Sequence, residues 1–142
     1  MSKLRIYLSG AIKQVNEEFQ NWRDRCHDIK HDGFYVNLKF IDPNSYFNYT
    51  TKLPKNDKQC IDLFMWQIDH CDVLLCNLDY SDKSIGTCME IEHAYCNNIQ
   101  IVAFGNKPDT WYPWAKERAS VIYDDLEDAI AYINNSYCRT LY

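Results

Sequence analysis

The sequence lacks several features by which common classes of protein are recognised. No apolar run approaches the roughly 20 residues that cross a membrane. No basic block stands out in this chain of 142 residues, whose formal net charge is −5. This net negative charge, without a basic cluster, argues against a protein that binds a nucleic-acid polymer by charge alone. There is also no G-x-G-x-x-G loop and no Walker loop, so these nucleotide-binding motifs support no assignment.

Cysteine usage is equally informative, because the seven cysteines are odd in number and form no C-x-x-C pair. The beginning of the sequence has no signal-peptide pattern. We therefore expect reduced cysteines in a cytoplasmic protein. A metal site is not expected, because His27 and His31 have helical spacing but no third ligand at a suitable position.

What the sequence does contain is a regular alternation of apolar strands and amphipathic helices. The predicted strands span 4–8, 35–41, 72–77, 99–104 and 120–123. The predicted helices span 15–31, 58–71 and 84–97, and a last helix follows a capping box at 124–127. Residues 105–114 and the tail after 134 are predicted as irregular. The alternation predicts one domain over 1–142, a five-stranded parallel sheet with helices on both faces in a flavodoxin-like or Rossmann-like three-layer sandwich.

The turn from the third strand into the next helix contains the clearest candidate site. Ser84 is suited to cap the helix, and Gly86 is expected to allow a close backbone approach. Glu90 then falls in the second helical turn, near the crevice where such sheets bind ligands. A carboxylate held there is a candidate nucleophile or acid–base group. From spacing alone, a solvated helix carboxylate is the commoner case.

Two short segments are more specific when they are taken together. They read Tyr7-Leu8-Ser9-Gly10-Ala11-Ile12 and Gly86-Thr87-Cys88-Met89-Glu90. In content, order and spacing they resemble the nucleoside 2-deoxyribosyltransferase family, including its relatives that hydrolyse nucleoside 5′-monophosphates. The resemblance covers roughly residues 4–104, and a weaker similarity extends it to residues 112–114.

The resemblance implies cleavage of an N-glycosidic bond through a covalent glycosyl-enzyme. Glu90 matches the family's nucleophile, and Tyr7 matches the tyrosine that orients it. No metal or organic cofactor is needed, because the carboxylate and the leaving base carry out the chemistry. The sugar then passes to water or to a second base.

Ser84 bears on the choice between these acceptors. The resemblance implies that a Ser here binds a 5′-phosphate in the hydrolases, whereas the transferases carry an Asp for the sugar 5′-hydroxyl. Lys13 matches a basic phosphate contact, although a solvated charge is an alternative. Together they weakly favour a 5′-monophosphate hydrolase over a transferase. The further substrate-binding candidates are Gly10, Thr87, Gly86 and Asn77, the last of which serves equally well as a turn residue.

The chain departs from the family at one position. The family carries an Asp eight residues before the aspartate that leads the third strand, and this position holds Phe64. Asp62 is retained as a catalytic candidate, although it lies on a different helical face, and Asp42 is an alternative. Because of this departure, a catalytically inactive nucleotide-binding module is an alternative function. A flavodoxin-like protein that binds another ligand, such as a flavin, is a third hypothesis.

The expected partners follow from the same reasoning. We expect a small nucleoside or nucleotide substrate, with no nucleic-acid polymer and no membrane. The resemblance also implies a homodimer or a higher homo-oligomer, in which a neighbouring subunit completes the site. Residues 106–114 are the favoured source of that contribution.

Overall fold

The computed structural model describes residues 3–11, 22–31, 35–43 and 57–138. Its centre is a five-stranded parallel sheet with the spatial order β2-β1-β3-β4-β5. The strands are β1 (Leu4–Gly10), β2 (Leu38–Ile41), β3 (Val73–Asn77), β4 (Gln100–Phe104) and β5 (Val121–Tyr123). The predicted parallel sheet is confirmed, and its order is flavodoxin-like.

Helices connect the strands, as the alternation predicted. They are α1 (Trp22–His31), α2 (Asp57–Asp69), α3 (Ile85–Cys96), α4 (Pro113–Arg118) and α5 (Leu126–Ile133). Short 3-10 turns lie at Ser81–Lys83 and Pro108–Thr110, and a π-helical turn follows at Asn134–Cys138. Residues 15–21 of the predicted first helix lie outside the described residues, and so does Lys13. Within the described ranges no helix has the length and apolarity needed to cross a membrane.

Hydrophobic packing on both faces of the sheet holds the layers together. Successive side chains of a strand point to opposite faces, so Ile6 and Leu8 join a core beneath α1 and α5. Tyr7 joins a second core beneath α2, α3 and α4. Both helix layers therefore bury apolar stripes, and Tyr7 lies on the same side of the sheet as α3.

Three local predictions were wrong, each for a physical reason. The strand β2 begins only at Leu38, because Tyr35 has a left-handed φ of 60°, outside the β region, and residues 36–37 form a turn. The cap of α5 is Asp125, which accepts a 2.8 Å hydrogen bond from the Asp128 amide, so the capping box is one residue later than predicted. The segment 105–114 is not all loop, because Pro113 begins α4.

The strand order creates one natural crevice. The chain leaves β1 toward β2 on one side, whereas β3 continues to β4 on the other side. The carboxyl ends of β1 and β3 flank this switch point, where doubly wound sheets bind ligands. Ser9 pairs with Cys76 and Gly10 pairs with Asn77 at this edge.

Candidate active site

Two hydroxyl groups of strand β1 hold the Glu90 carboxylate in place. The Tyr7 hydroxyl donates to Oε2 of Glu90, and Ser9 Oγ donates to Oε1 at 2.9 Å. Tyr7 and Ser9 are two residues apart on β1, so both point toward α3. Both carboxylate oxygens therefore have a donor, and the carboxyl group is fixed at the carboxyl end of β1.

The first turn of α3 brings the other predicted residues to the same place. Ser84 Oγ caps the helix by accepting from the Thr87 amide at 3.4 Å, and it lies 2.6 Å from Thr87 Oγ1. At Gly86 an added Cβ would meet no atom within 4 Å. The expected close backbone approach at Gly86 is therefore wrong, and its missing side chain leaves open space instead.

That open space belongs to a cavity of about 390 Å³ above Glu90. Its polar end is formed where α3 begins, by Lys83, Ser84, Gly86 and Thr87. Its remaining wall is mostly apolar and comprises Pro43, Ile61, Phe64, Met65, Ile85 and Met89. Glu90, Gly10 and Arg23 complete the lining. A cavity with an apolar wall and a few convergent polar groups is typical of a small-molecule site.

Burial and hydrogen bonding act on the Glu90 carboxyl in opposite directions. Burial raises its pKa, while the Tyr7 and Ser9 hydrogen bonds and the charge of Arg23 lower it, and the net direction is upward. Burial and the neighbouring Glu90 charge also raise the pKa of Tyr7. The phenol therefore stays protonated and remains a donor to the carboxylate.

The structure separates two of the sequence candidates, Asp62 and Asn77, from the cavity. Asp62 is exposed, and its carboxylate pairs with Lys58 at 2.6 Å, whereas Phe64 lines the cavity from the same helix. Asn77 Oδ1 accepts from the Asp79 amide at 3.1 Å, which is the turn role left open for it. Lys13 lies outside the described residues.

Two residues near the carboxylate were missed by the sequence analysis. Ser9 could have been found, because it alternates with Tyr7 on the same face of β1. Arg23 lies three residues before the buried Cys26, on the apolar stripe of α1, and only 2% of it is exposed. A charged residue on a buried helical stripe was the available signal.

Asp79 fixes the segment that follows β4 against the end of β3. Its buried carboxylate accepts from the Lys107 amide at 2.9 Å, the Asn106 amide at 3.3 Å and Trp111 Nε1 at 2.8 Å. An added Cβ at Gly105 would lie only 2.7 Å from Asp79 Oδ1. The segment predicted to contribute to a neighbouring site is thus anchored next to the crevice.

The comparisons with known proteins give structural neighbours only. No protein-family model matches the chain, and no curated protein matches it. Among solved structures, one neighbour is a 2-deoxyribosyltransferase of the psychrotolerant bacterium Bacillus psychrosaccharolyticus. It aligns at TM-score 0.65 and 13% identity, over 87% of this chain and 88% of its own.

Two further neighbours align over most of the chain. A conserved protein of Enterococcus faecalis V583 has TM-score 0.59 and 15% identity, over 94% of this chain and 88% of its own. The CMP N-glycosidase BcmB of Clostridium botulinum has TM-score 0.53 and 19% identity, over 95% of this chain and 98% of its own. The chain therefore has the fold that the resemblance implied, shared with a deoxyribosyltransferase and an N-glycosidase.

Proposed function

We propose that this protein cleaves the N-glycosidic bond of a 2′-deoxynucleoside or its 5′-monophosphate, with Glu90 as the nucleophile. The observation that carries the proposal is the Glu90 carboxylate, held by the Tyr7 and Ser9 hydroxyls at the floor of a small-molecule cavity. The resemblance of the segments around Tyr7 and Glu90 to the deoxyribosyltransferases supports the same reaction. So does the fold shared with enzymes described as a 2-deoxyribosyltransferase and a CMP N-glycosidase.

In the first step, a Glu90 oxygen attacks the anomeric carbon of the sugar. A carbon–oxygen bond forms as the carbon–nitrogen bond to the base breaks, and the base leaves with the electron pair and later takes a proton. In the second step, water or a second base attacks the same carbon and releases the carboxylate, so the anomeric configuration is retained. Only an ionised carboxylate can attack, and the Tyr7 and Ser9 donors favour that form.

The two ends of the cavity suit the two ends of a nucleotide. Ser84, Thr87 and Gly86 surround the start of α3, where free amides and a partial positive charge favour an anion. Lys83 adds a cation to the cavity lining at this end, and Lys13 is a further proposed contact. The apolar wall, which includes Phe64, suits the flat face of a base.

Within this proposal, water is the favoured acceptor and the substrate is a 5′-monophosphate. Ser84 carries no charge that would repel a phosphate, which is the reason for preferring the hydrolase. A transferase that binds the 5′-hydroxyl and exchanges bases is the alternative. Asp62 receives no role in either reaction, because its carboxylate pairs with Lys58 on the surface.

A second candidate function rests on Phe64. This aromatic side chain lines the cavity at the position where the family carries an Asp. Without that carboxylate, the site would bind a nucleotide and leave its glycosidic bond intact. Calorimetric titration beside a turnover assay separates this binding module from the enzyme.

The proposal extends to assembly and location. Large apolar side chains are exposed, including Ile85 at 79% and Met89 at 60%, which line the cavity, and Trp114 at 73% on α4. A second copy of the chain covering them would make a homodimer or a higher homo-oligomer.

All seven cysteines are free thiols, which supports a reducing, cytoplasmic location. Neither a nucleic-acid polymer nor a membrane is among the proposed partners.

Base release, followed by liquid chromatography, tests the proposal. The substrates are the four deoxynucleosides and their 5′-monophosphates, each with and without a second free base. Release only from the monophosphates, independent of the added base, is the expected result. A new nucleoside that forms only with the second base would instead identify a transferase. Binding without any base release would favour the inactive module.

A further inference from the structure

Arg23 is a buried cation beside the proposed nucleophile, and the mechanism above gives it no role. Its side chain is 3% exposed, yet it lines the cavity together with Glu90 and Gly10. Burying a guanidinium is costly unless its charge is compensated. Asp42 lies 3.7 Å from this guanidinium, and the place of Arg23 in the cavity lining points to a role beyond that ion pair.

The contacts of Arg23 connect the ends of two strands. Nη2 donates to the Gly10 carbonyl at the end of β1 at 3.0 Å. Nε lies 3.7 Å from Asp42 Oδ1, just after β2. Gly10 follows Ser9, which donates to Glu90. Arg23 therefore contacts the backbone next to a residue that holds the carboxylate.

The buried polar atoms of Arg23 are only partly satisfied. Among the described residues, Nε and Nη1 have no hydrogen-bond partner. Both atoms are shielded from solvent, which prevents direct contact with a ligand in the cavity as it stands. The contacts that the structure does give Arg23 are the ion pair of its charge with Asp42 and the hydrogen bond to the Gly10 carbonyl.

The effect of Arg23 depends on the other titratable groups around the Glu90 carboxylate. In the described part of the chain, the titratable groups that face Glu90 are Tyr7 from β1, Cys76 from β3 and Arg23 from α1. Asp42 faces Arg23 from the end of β2. Burial raises the pKa of both Tyr7 and Cys76, so these two groups remain neutral. Arg23 is the cation of this set.

We propose that Arg23 is a positioning residue, which fixes the end of β1 beneath Glu90 and places a positive charge in the same cavity lining as the carboxylate. The inference deepens the proposed function and rests on it for the role of Glu90 as nucleophile. An arginine here donates from Nη2 to the Gly10 carbonyl while its charge lies beside Asp42. A lysine keeps the charge, whereas a methionine keeps the volume only.

The test measures the titration of Glu90 without requiring turnover. The glutamate carboxyl carbons are labelled with ¹³C and titrated by NMR, and the Glu90 signal is the one missing in Glu90→Gln. We expect Arg23→Met to raise the apparent pKa of Glu90 by about one unit or more, and Arg23→Lys to restore most of the shift. Arg25→Met is the matched control, because Arg25 is half exposed on the same helix and pairs with Glu127.

Where Arg23→Met fails to fold, the cause to remove is the Asp42 carboxylate, which has lost the Arg23 charge and keeps His27 at 3.6 Å. Asp42→Asn is then compared with Arg23→Met/Asp42→Asn, and the double variant should have the higher Glu90 pKa. Equal titration in these two variants, or in Arg23→Met and Arg25→Met, would overturn the inference. So would an equal shift in Arg23→Met and Arg23→Lys, because packing alone would then explain it.

The failure of the proposed function is a different result. If the wild-type protein releases no base from any of the nucleosides or monophosphates, the enzyme assignment fails. The NMR titration of the carboxyl group still decides whether Arg23 lowers the pKa of Glu90. If base release is observed, the acid limb of kcat/KM should move to higher pH in Arg23→Met and return in Arg23→Lys.

Discussion

The hydroxyl of Tyr7 donates to the carboxylate of Glu90 across 83 positions of sequence. The parallel sheet makes this contact possible, because α3 follows β3 and packs over its neighbour β1. A single strand residue thus fixes the ionisable group on a helix from a different part of the chain.

Replacing the carboxylate should abolish base release. Glu90→Gln preserves the size of the side chain but has no nucleophilic oxygen anion, so we expect kcat to fall by about 10³-fold or more. Glu92→Gln is the matched control, because Glu92 is on the same helix and pairs with Arg118 on the surface. Base release is measured by liquid chromatography. Full activity in Glu90→Gln would remove Glu90 from the mechanism.

Removing the phenol should change the pH dependence. The Tyr7 hydrogen bond favours the ionised form of Glu90, so Tyr7→Phe should raise the pKa of Glu90 further. The acid limb of kcat/KM should then move to higher pH, and activity near neutral pH should fall by about 10- to 100-fold. Tyr95→Phe, half exposed on α3, should leave the profile unchanged. A uniform loss across the pH range would indicate damage to packing instead.

Part of this arrangement could be predicted from the sequence, and part could not. The apolar alternation predicted the strands, and the Ser84 cap predicted the beginning of α3. Adjacent aspartates made the α5 cap ambiguous by one residue, because both have a carboxylate three residues later. The cavity wall escaped prediction, since Ile61, Phe64 and Met65 reach it only through the way α2 packs against α3. Helical periodicity gives a buried stripe but not the cavity beside it.

The raised pKa of Glu90 also affects the stability of the folded protein. In the unfolded chain the carboxyl titrates at about 4.3, and in the folded protein it titrates higher. The folded state therefore binds more protons between these two values, and stability falls as the pH rises through that window. Glu90→Gln removes this loss, so its melting temperature should exceed that of the wild type at pH 7. The difference should shrink near pH 4, as measured by thermal unfolding at both pH values.

Two glycines should respond in opposite ways to an added methyl group. At Gly86 the added Cβ meets open space, so Gly86→Ala should stabilise α3 by about 0.5–1 kcal/mol while raising KM for the substrate. At Gly105 it lies 2.7 Å from Asp79 Oδ1 and 3.0 Å from Trp111 Nε1, so Gly105→Ala should destabilise by about 1–3 kcal/mol. Denaturant unfolding and steady-state kinetics provide both readouts. An unchanged KM in Gly86→Ala would mean that the ligand does not use that part of the cavity.

The choice between phosphate and hydroxyl recognition can be tested at Ser84 without disturbing the helix. Aspartate caps a helix about as well as serine, so Ser84→Asp should leave the free energy of unfolding nearly unchanged. Its negative charge would repel a bound 5′-phosphate, because like charges placed together cost several kcal/mol. We therefore expect kcat/KM for a monophosphate to fall by about 100-fold or more.

Ser84→Ala completes this test, because it removes the cap and the hydroxyl but adds no charge. Its stability should fall by about 1 kcal/mol, and its kcat/KM for the monophosphate should fall, but less than in Ser84→Asp. If Ser84→Asp lowers kcat/KM no more than Ser84→Ala does, the charge is not close to the 5′ end of the substrate. The beginning of α3 would then be only a helix cap, and the preference for a monophosphate would have to come from Lys83, Lys13 or another cation.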